Sequence, residues 1–100
     1  MRLAAVPMVV GSLEVHLRLE GCRSLKEKRR VLRPVIERLR RDLHVSVAEV
    51  GDHDLWNVAT IGVACVAQDR TRATQVLQRA MALIDECADV RVEGSAEDYC

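Results

Sequence analysis

The chain is poor in aromatic residues: it contains no phenylalanine, and Trp56 and Tyr99 are its only aromatic side chains. A hydrophobic core must therefore be built from aliphatic residues, which are plentiful because 49% of the chain is hydrophobic. That share excludes intrinsic disorder as a description of the whole chain. No apolar run approaches the roughly 20 residues that a membrane-spanning helix needs, so we predict a soluble protein with no membrane contact.

The sequence also lacks closely spaced cysteine pairs and a secretion signal. The N-terminal segment has one basic residue, a proline inside its apolar stretch and no clear small-residue cleavage site. We therefore predict a cytoplasmic protein with reduced thiols. We expect residues 1–7 to form an extension ahead of a possible start at Met8, residues 8–94 to form a single domain, and residues 95–100 to form a polar tail.

Charge is distributed unevenly along the chain. Residues 23–41 hold nine Lys or Arg and two Glu, a local charge of +7, whereas the remainder holds six basic and thirteen acidic residues, a charge of −7. A formal net charge of zero therefore hides a basic segment that suits an acidic partner, with nucleic acid as the first candidate. Because guanidinium groups match phosphate oxygens, the predicted phosphate contacts are Lys26, Arg29, Arg30, Arg33, Arg40 and Arg41. The alternative is a solvated helix face, supported by the spacing of Glu37 from Arg33 and Arg41.

Hydrophobic periodicity predicts six elements in the order βαββαβ. Residues 12–20, 44–51, 57–68 and 89–93 are typical of strands, and helices are predicted after the capping residues Ser24 and Asp69. Two crossover units around a central hairpin give an α+β, ferredoxin-like sandwich, with a four-stranded antiparallel sheet and two helices on one face.

The first helix has a clear apolar stripe. Lys28 lies at its edge, where we expect its stem to cover apolar surface and its ammonium group to reach water. Pro34 is predicted to kink the helix without ending it. The residues of the stripe are Leu25, Leu32, Val35, Ile36, Leu39 and Leu43.

The outward face of the predicted sheet is flat and weakly polar. It carries Thr60, Gly62 and Ala64 on the third strand beside Ala48 on the second, and such a surface is typical of an interface, so a homodimer through this face is the alternative function. Base stacking on the sheet is not expected, because these strands present no outward aromatic ring. Trp56 precedes the third strand and is interpreted as a lid over one end of the core.

Metal binding and catalysis find little support in the sequence. The turn that contains Glu49, Asp52, His53 and Asp54 is interpreted as a hairpin connection rather than a metal site. Cys22, next to the helix start, is in a position that favours a depressed pKa, but no partner base is evident. Arg23 and Asn57 permit comparison with acyl-phosphate hydrolases, although the loop between the first strand and helix lacks the expected glycine pattern. We therefore predict a non-enzyme without metal or cofactor.

Four motifs together resemble the YlxP-like family of small bacterial proteins. They are SLKEKRR at 24–30, ERLR at 37–40, VSVAEVGDHDLW at 45–56 and IGVACV at 61–66, within a resemblance that spans residues 8–93; Pro34 departs from the family pattern. The resemblance implies a ferredoxin-like fold. It also implies a ribosome-related role, since such genes are typically found among those for translation initiation and ribosome maturation, including ribosome-binding factor A. The resulting prediction is an accessory factor that binds ribosomal RNA or an assembling small ribosomal subunit.

Overall fold

Six elements make one sheet covered on one face by two helices. The computed structural model describes residues 6–100, so most of the predicted extension at residues 1–7 lies outside the described residues. The sheet is antiparallel throughout, with strand order β2-β3-β1-β4, and confirms the predicted βαββαβ arrangement. The elements are β1 (Val9–Arg18), α1 (Leu25–Leu43), β2 (Ser46–Gly51), β3 (Val58–Ala67), α2 (Arg70–Asp85) and β4 (Arg91–Tyr99).

The core is aliphatic and centres on the two inner strands. The inward side chains of β1 are at most 1% exposed, and they share the core with Ile61 and Val63 of β3. Helix residues such as Leu39 and Leu77 close this core from above and are fully buried. Buried and exposed side chains alternate along β1 because only one face of the sheet is packed against helices, as the sequence pattern predicts.

Helix α1 begins and ends with defined caps. Ser24 Oγ accepts a hydrogen bond from the Glu27 amide at 3.1 Å, and the Glu27 carboxylate accepts one from the Arg23 amide. His44 ends the helix in the left-handed conformation, with φ of 53°. The helix continues through Pro34 as one element, which confirms the predicted single helix.

The last strand corrects the predicted polar tail. Instead of ending at residue 93, the chain pairs with β1 as far as Tyr99, which lies opposite Gly11. This prediction was wrong because Ser95 and Glu97 carry little hydrophobic signal, although they lie opposite Val15 and Leu13. Backbone pairing with an inner strand, rather than side-chain burial, forms this edge of the sheet.

Gly11 marks the closest approach of β1 to α2. A Cβ atom at this position would lie 3.2 Å from both the Ala73 Cβ and the Leu77 Cδ1. We expect Gly11→Ala to lower the free energy of unfolding by about 1–3 kcal/mol, as overpacking of a core does. Urea denaturation would measure this, with Gly21→Ala as the control, because a Cβ at Gly21 would meet no atom within 4 Å. Equal effects of the two substitutions would contradict the close packing.

Candidate nucleic-acid interface

Four cations of α1 form an exposed row, which we call the basic face: Lys26, Arg29, Arg30 and Arg33. All four are exposed, and within residues 6–100 none has an ion-pair partner. Nearby acidic groups are Glu27, whose carboxylate is used in the helix cap, and Glu37, one turn beyond Arg33. The basic face therefore presents four unneutralised charges to solvent.

The other predicted phosphate contacts have partners within the protein. Arg40 donates a hydrogen bond to the Val47 carbonyl oxygen at 2.6 Å, and so ties the helix to edge strand β2. Arg41 is exposed and pairs with Asp42 at 3.0 Å. Arg38, which is not among the predicted contacts, bridges to Glu86 at 2.9 Å. Arg40 is exposed and lines one groove with Arg29 and Arg33, so it continues their row while its guanidinium group is bonded to β2. Arg41 lies at the C-terminal end of the helix.

Lys28 corrects the expectation that its ammonium group reaches water. The residue is 2% exposed, and its Nζ donates hydrogen bonds to the carbonyl oxygens of Asp52 at 2.7 Å and Leu55 at 2.6 Å. Nζ also lies 2.7 Å from Glu49 Oε2, a buried oxygen with no aligned hydrogen-bond donor in the described part of the chain. The Glu49 carboxylate therefore depends on the charge of Lys28, and α1 is fastened to the β2–β3 turn.

The polar side chains in and beside the β2–β3 turn make hydrogen bonds with the backbone and with side chains of the sheet, and they do not surround a common centre. Asp52 adopts a left-handed backbone conformation with φ of 60°, and its Oδ2 accepts a hydrogen bond from Thr60 Oγ1 at 2.8 Å. His53 Nε2 lies 3.0 Å from the Glu49 carbonyl oxygen, and Thr60 Oγ1 lies 3.2 Å from His16 Nδ1. Among residues 6–100 no group of three metal-ligating side chains is arranged around a common centre.

The outer sheet face is less open than the sequence predicts. Thr60 is 5% exposed beneath Asp52, so this predicted interface residue is not available at the surface. Gly62 is covered by Val50, since a Cβ on Gly62 would lie 3.0 Å from Val50 Cγ1. The bulge between Glu49 and Gly51 places Val50 out of register with β3. Of the predicted set, Ala48 is exposed, whereas Gly62 and Ala64 are half-buried.

Trp56 also departs from its predicted role. Its side chain is 44% exposed, so it does not serve as a lid over the core. The neighbouring Leu55 is exposed as well, so the two residues form an exposed apolar segment of the hairpin that Lys28 holds. Val50 is also exposed, on the outer sheet face over Gly62. In the sequence, the only sign of this exposed apolar surface is that two large hydrophobic residues directly follow a polar turn.

The loop between β1 and α1 does not form an open phosphate cradle. Its Arg23 amide is bonded to the Glu27 carboxylate, and the Glu27 amide is bonded to Ser24. The Asn57 carbonyl oxygen accepts a hydrogen bond from the Leu19 amide across the sheet. The backbone amides of Arg23 and Glu27 are thus occupied by the chain's own groups.

Cys22 corrects the expectation of a depressed pKa. Burial raises the pKa of its thiol, and the nearby carboxylates of Glu27 and Asp89 raise it further. The pKa of Cys87 is also raised, again chiefly by burial. By contrast, Cys100 is exposed at the end of β4.

We therefore expect alkylation of the folded protein by iodoacetamide at mildly alkaline pH to modify Cys100 first and Cys22 only on unfolding, since the thiolate is the reactive form. Peptide mapping by mass spectrometry at successive times would follow each site. Cys100→Ser should remove the fast phase. Modification of Cys22 as rapid as that of Cys100 would contradict the burial of its thiol.

Pairing order and helix placement define the class: an α+β protein of the ferredoxin-like type. Two de novo designed proteins among the solved structures are similar in fold. One, LFR1 1 with a ferredoxin fold, has a TM-score of 0.55 and 10% identity, and the match covers 91% of this chain and 82% of that chain. The other, Foldit4, has a TM-score of 0.50 and 15% identity, with 93% of each chain covered.

Sequence comparison then gives the family. Residues 10–96 match DUF503, described as a protein of unknown function. The chain is 33% identical over 82 residues to the uncharacterized protein YlxP of Bacillus subtilis (strain 168), covering 82% of this chain and 89% of that protein. The chain therefore belongs to the DUF503 family, which confirms the resemblance to YlxP-like proteins. No helix in residues 6–100 is long and apolar enough to cross a membrane.

Proposed function

We propose that the protein is a non-enzymatic accessory factor that binds structured RNA through the basic face of α1. The observation that carries the proposal is the row of four exposed cations without ion-pair partners in residues 6–100. Unneutralised guanidinium and ammonium groups in a row suit a ligand whose negative charges repeat along a backbone.

The placement of these charges favours a binding role over a stabilising one. Lys26 lies in the first turn of α1, where the helix macrodipole is positive and a cation is unfavourable by about 0.3–1 kcal/mol. Its charge therefore imposes a cost on the helix that an anionic ligand would offset.

The length of the row favours a polyanion over a single phosphate group. Lys26 and Arg33 are seven residues apart, which spans about 10 Å along a helix axis at 1.5 Å per residue. A row of this length can contact several phosphates of one nucleic-acid backbone. The ribosomal part of the proposal, ribosomal RNA or an assembling small subunit, is supported by the resemblance to YlxP-like proteins described above.

A salt series with fluorescent ribosomal RNA fragments tests this function. If four phosphate contacts form, raising the salt concentration from about 50 to about 200 mM should weaken binding by about 50- to 150-fold through counterion release. Binding that is absent at the lowest salt concentration, or that does not change with salt, would contradict phosphate binding by the basic face and favour the alternative of a solvated helix face.

The second candidate is a module that dimerises through the outer sheet face. A shallow groove of about 480 Å³ crosses this face and is lined by small and apolar residues, including Ala48, Ala64 and Ala96. A second copy could pack there. Light scattering would then give twice the chain mass of 11.2 kDa, and Ala64→Lys would return the protein to a monomer, whereas Ala82→Lys on the exposed side of α2 would not. A monomeric mass at high protein concentration would remove this candidate.

A further inference from the structure

The β2–β3 hairpin holds Trp56 at the surface on a rigid support. Lys28 Nζ bonds the carbonyl oxygens of Asp52 and Leu55, and the Leu55 amide bonds the same Asp52 oxygen at 3.1 Å. Thr60 fixes the Asp52 side chain from the sheet. None of these contacts uses the indole ring, which stays 44% exposed. A large ring that is exposed on an ordered turn loses little conformational entropy when it binds a ligand.

The same contacts tie the backbone beside Trp56 to the helix that carries the basic face. Leu55 precedes Trp56 and is joined by one hydrogen bond to Lys28, which precedes Arg29 in α1. A groove of about 410 Å³ runs between α1 and β2, with Arg29 and Arg33 on one side and Glu49, which also contacts Lys28, on the other. The backbone of Trp56 therefore lies within one lysine side chain of α1.

We propose that Trp56 stacks on an unpaired base of RNA whose phosphate backbone lies on the basic face. The inference rests on the function proposed above and narrows its ligand to RNA that has a loop, bulge or single-stranded end beside a paired segment. Aromatic stacking recognises any base, because every base has a π-face, and it requires that the base be free of its helix. The exposed side chain of the preceding residue, Leu55, would cover the edge of the stacked base.

This mode differs from the stacking of bases on an open sheet. The outward residues of β3 are small or aliphatic, so the outer face of this strand offers no ring. Trp56 lies instead at the end of the hairpin, whose backbone is bonded to α1 through Lys28. We therefore expect one stacked base for each bound protein rather than a run of bases.

Trp56 is the only tryptophan of the chain, so its intrinsic fluorescence reports directly on this surface. The test titrates the protein with two RNAs of equal length: a hairpin with an unpaired loop, and a fully paired duplex with blunt ends. We expect fluorescence quenching and tighter binding with the hairpin. Trp56→Leu should weaken hairpin binding by about 5- to 150-fold, to the level of the duplex, and should leave the salt dependence unchanged. Trp56→Phe should retain part of the difference.

Two other outcomes overturn the inference and differ in what they say of the proposed function. Salt-dependent binding with unchanged fluorescence at saturation, and equal affinities of the wild type and Trp56→Leu, would show that the backbone is bound without stacking. The exposed apolar segment of the hairpin would then be a surface for a different class of partner, such as a protein. Absence of binding to both RNAs at low salt would overturn both the stacking and the RNA-binding function.

Discussion

Replacing Lys28 by methionine is expected to lower the free energy of unfolding by about 3–5 kcal/mol, the cost of breaking a buried ion pair from one side. Lys28 is 2% exposed, and its removal leaves two backbone carbonyl oxygens and the buried Oε2 of Glu49 without their partner. Methionine fills a similar volume, so the loss is electrostatic and not a cavity effect. For a chain of this size such a loss is a large part of the total stability.

Chemical denaturation measures this effect, and the same helix supplies a matched control. Lys26→Met removes the same charge from an exposed position two residues earlier, near the positive end of the helix macrodipole, and we expect it to leave stability unchanged or to raise it by no more than about 1 kcal/mol. Combining Lys28→Met with Glu49→Leu should cost less than the sum of the single substitutions, because the double variant buries no uncompensated carboxylate. A Lys28→Met variant as stable as the Lys26→Met control would show that the Lys28 ammonium is hydrated after all.

Much of the fold follows from periodicity that depends on burial alone. The strands β1 and β3 alternate because one face packs on the helices, and Ser24 and Asp69 cap α1 and α2 as their side-chain chemistry predicts. The second half of β4, beyond the predicted strand at residues 89–93, escapes this reasoning, since its pairing uses backbone groups that every residue except proline possesses. Edge pairing of this kind has no signature in side-chain hydrophobicity.

Lys28 illustrates a different limit. Its position fits the stripe, because Leu25, Lys28, Leu32, Val35 and Leu39 are spaced by three and four residues, as a buried helix face requires. The spacing indicated burial, but the charge suggested exposure, since an isolated buried ammonium group is very costly. The oxygen atoms that stabilise the buried Lys28 ammonium group come from the β2–β3 hairpin, which only the fold brings next to α1. The partners of a buried charge are distant in sequence, and no local pattern identifies them.

The candidate site was likewise only partly predictable from the sequence. The excess of cations in α1 could be predicted by counting, yet counting does not show which of them are free. The structure pairs Arg38 with Glu86 and Arg41 with Asp42, and it gives the four residues of the basic face no ion-pair partner in residues 6–100. Arg40 is bonded to the neutral Val47 carbonyl oxygen and keeps its charge. Whether a surface arginine is neutralised depends on what the fold places beside it, which is why a test of function must choose residues from the structure.

Reversing Arg30 and Arg33 together to glutamate is expected to weaken RNA binding by about 100-fold or more at moderate salt. Each substitution removes a charge-assisted hydrogen bond to phosphate, of the order of 1.5–3 kcal/mol, and adds a repulsive charge. The salt dependence should also become shallower, because two fewer phosphate contacts lower the slope of log affinity against log salt by about 1.4–1.8. Titration of a fluorescent ribosomal RNA fragment at several salt concentrations measures both quantities.

The matched control reverses Arg72 and Arg79 on α2, two exposed cations of the other helix. It changes the net charge of the protein by the same amount, so a loss of binding that follows overall charge would appear equally in both variants. Neither pair contributes to the core, and circular dichroism should show the same fold in both. If Arg30 and Arg33 can be reversed without loss while the protein still binds RNA, another surface binds the RNA. A selective loss in the α1 variant would locate the phosphate contacts on the exposed row next to the Lys28-held hairpin.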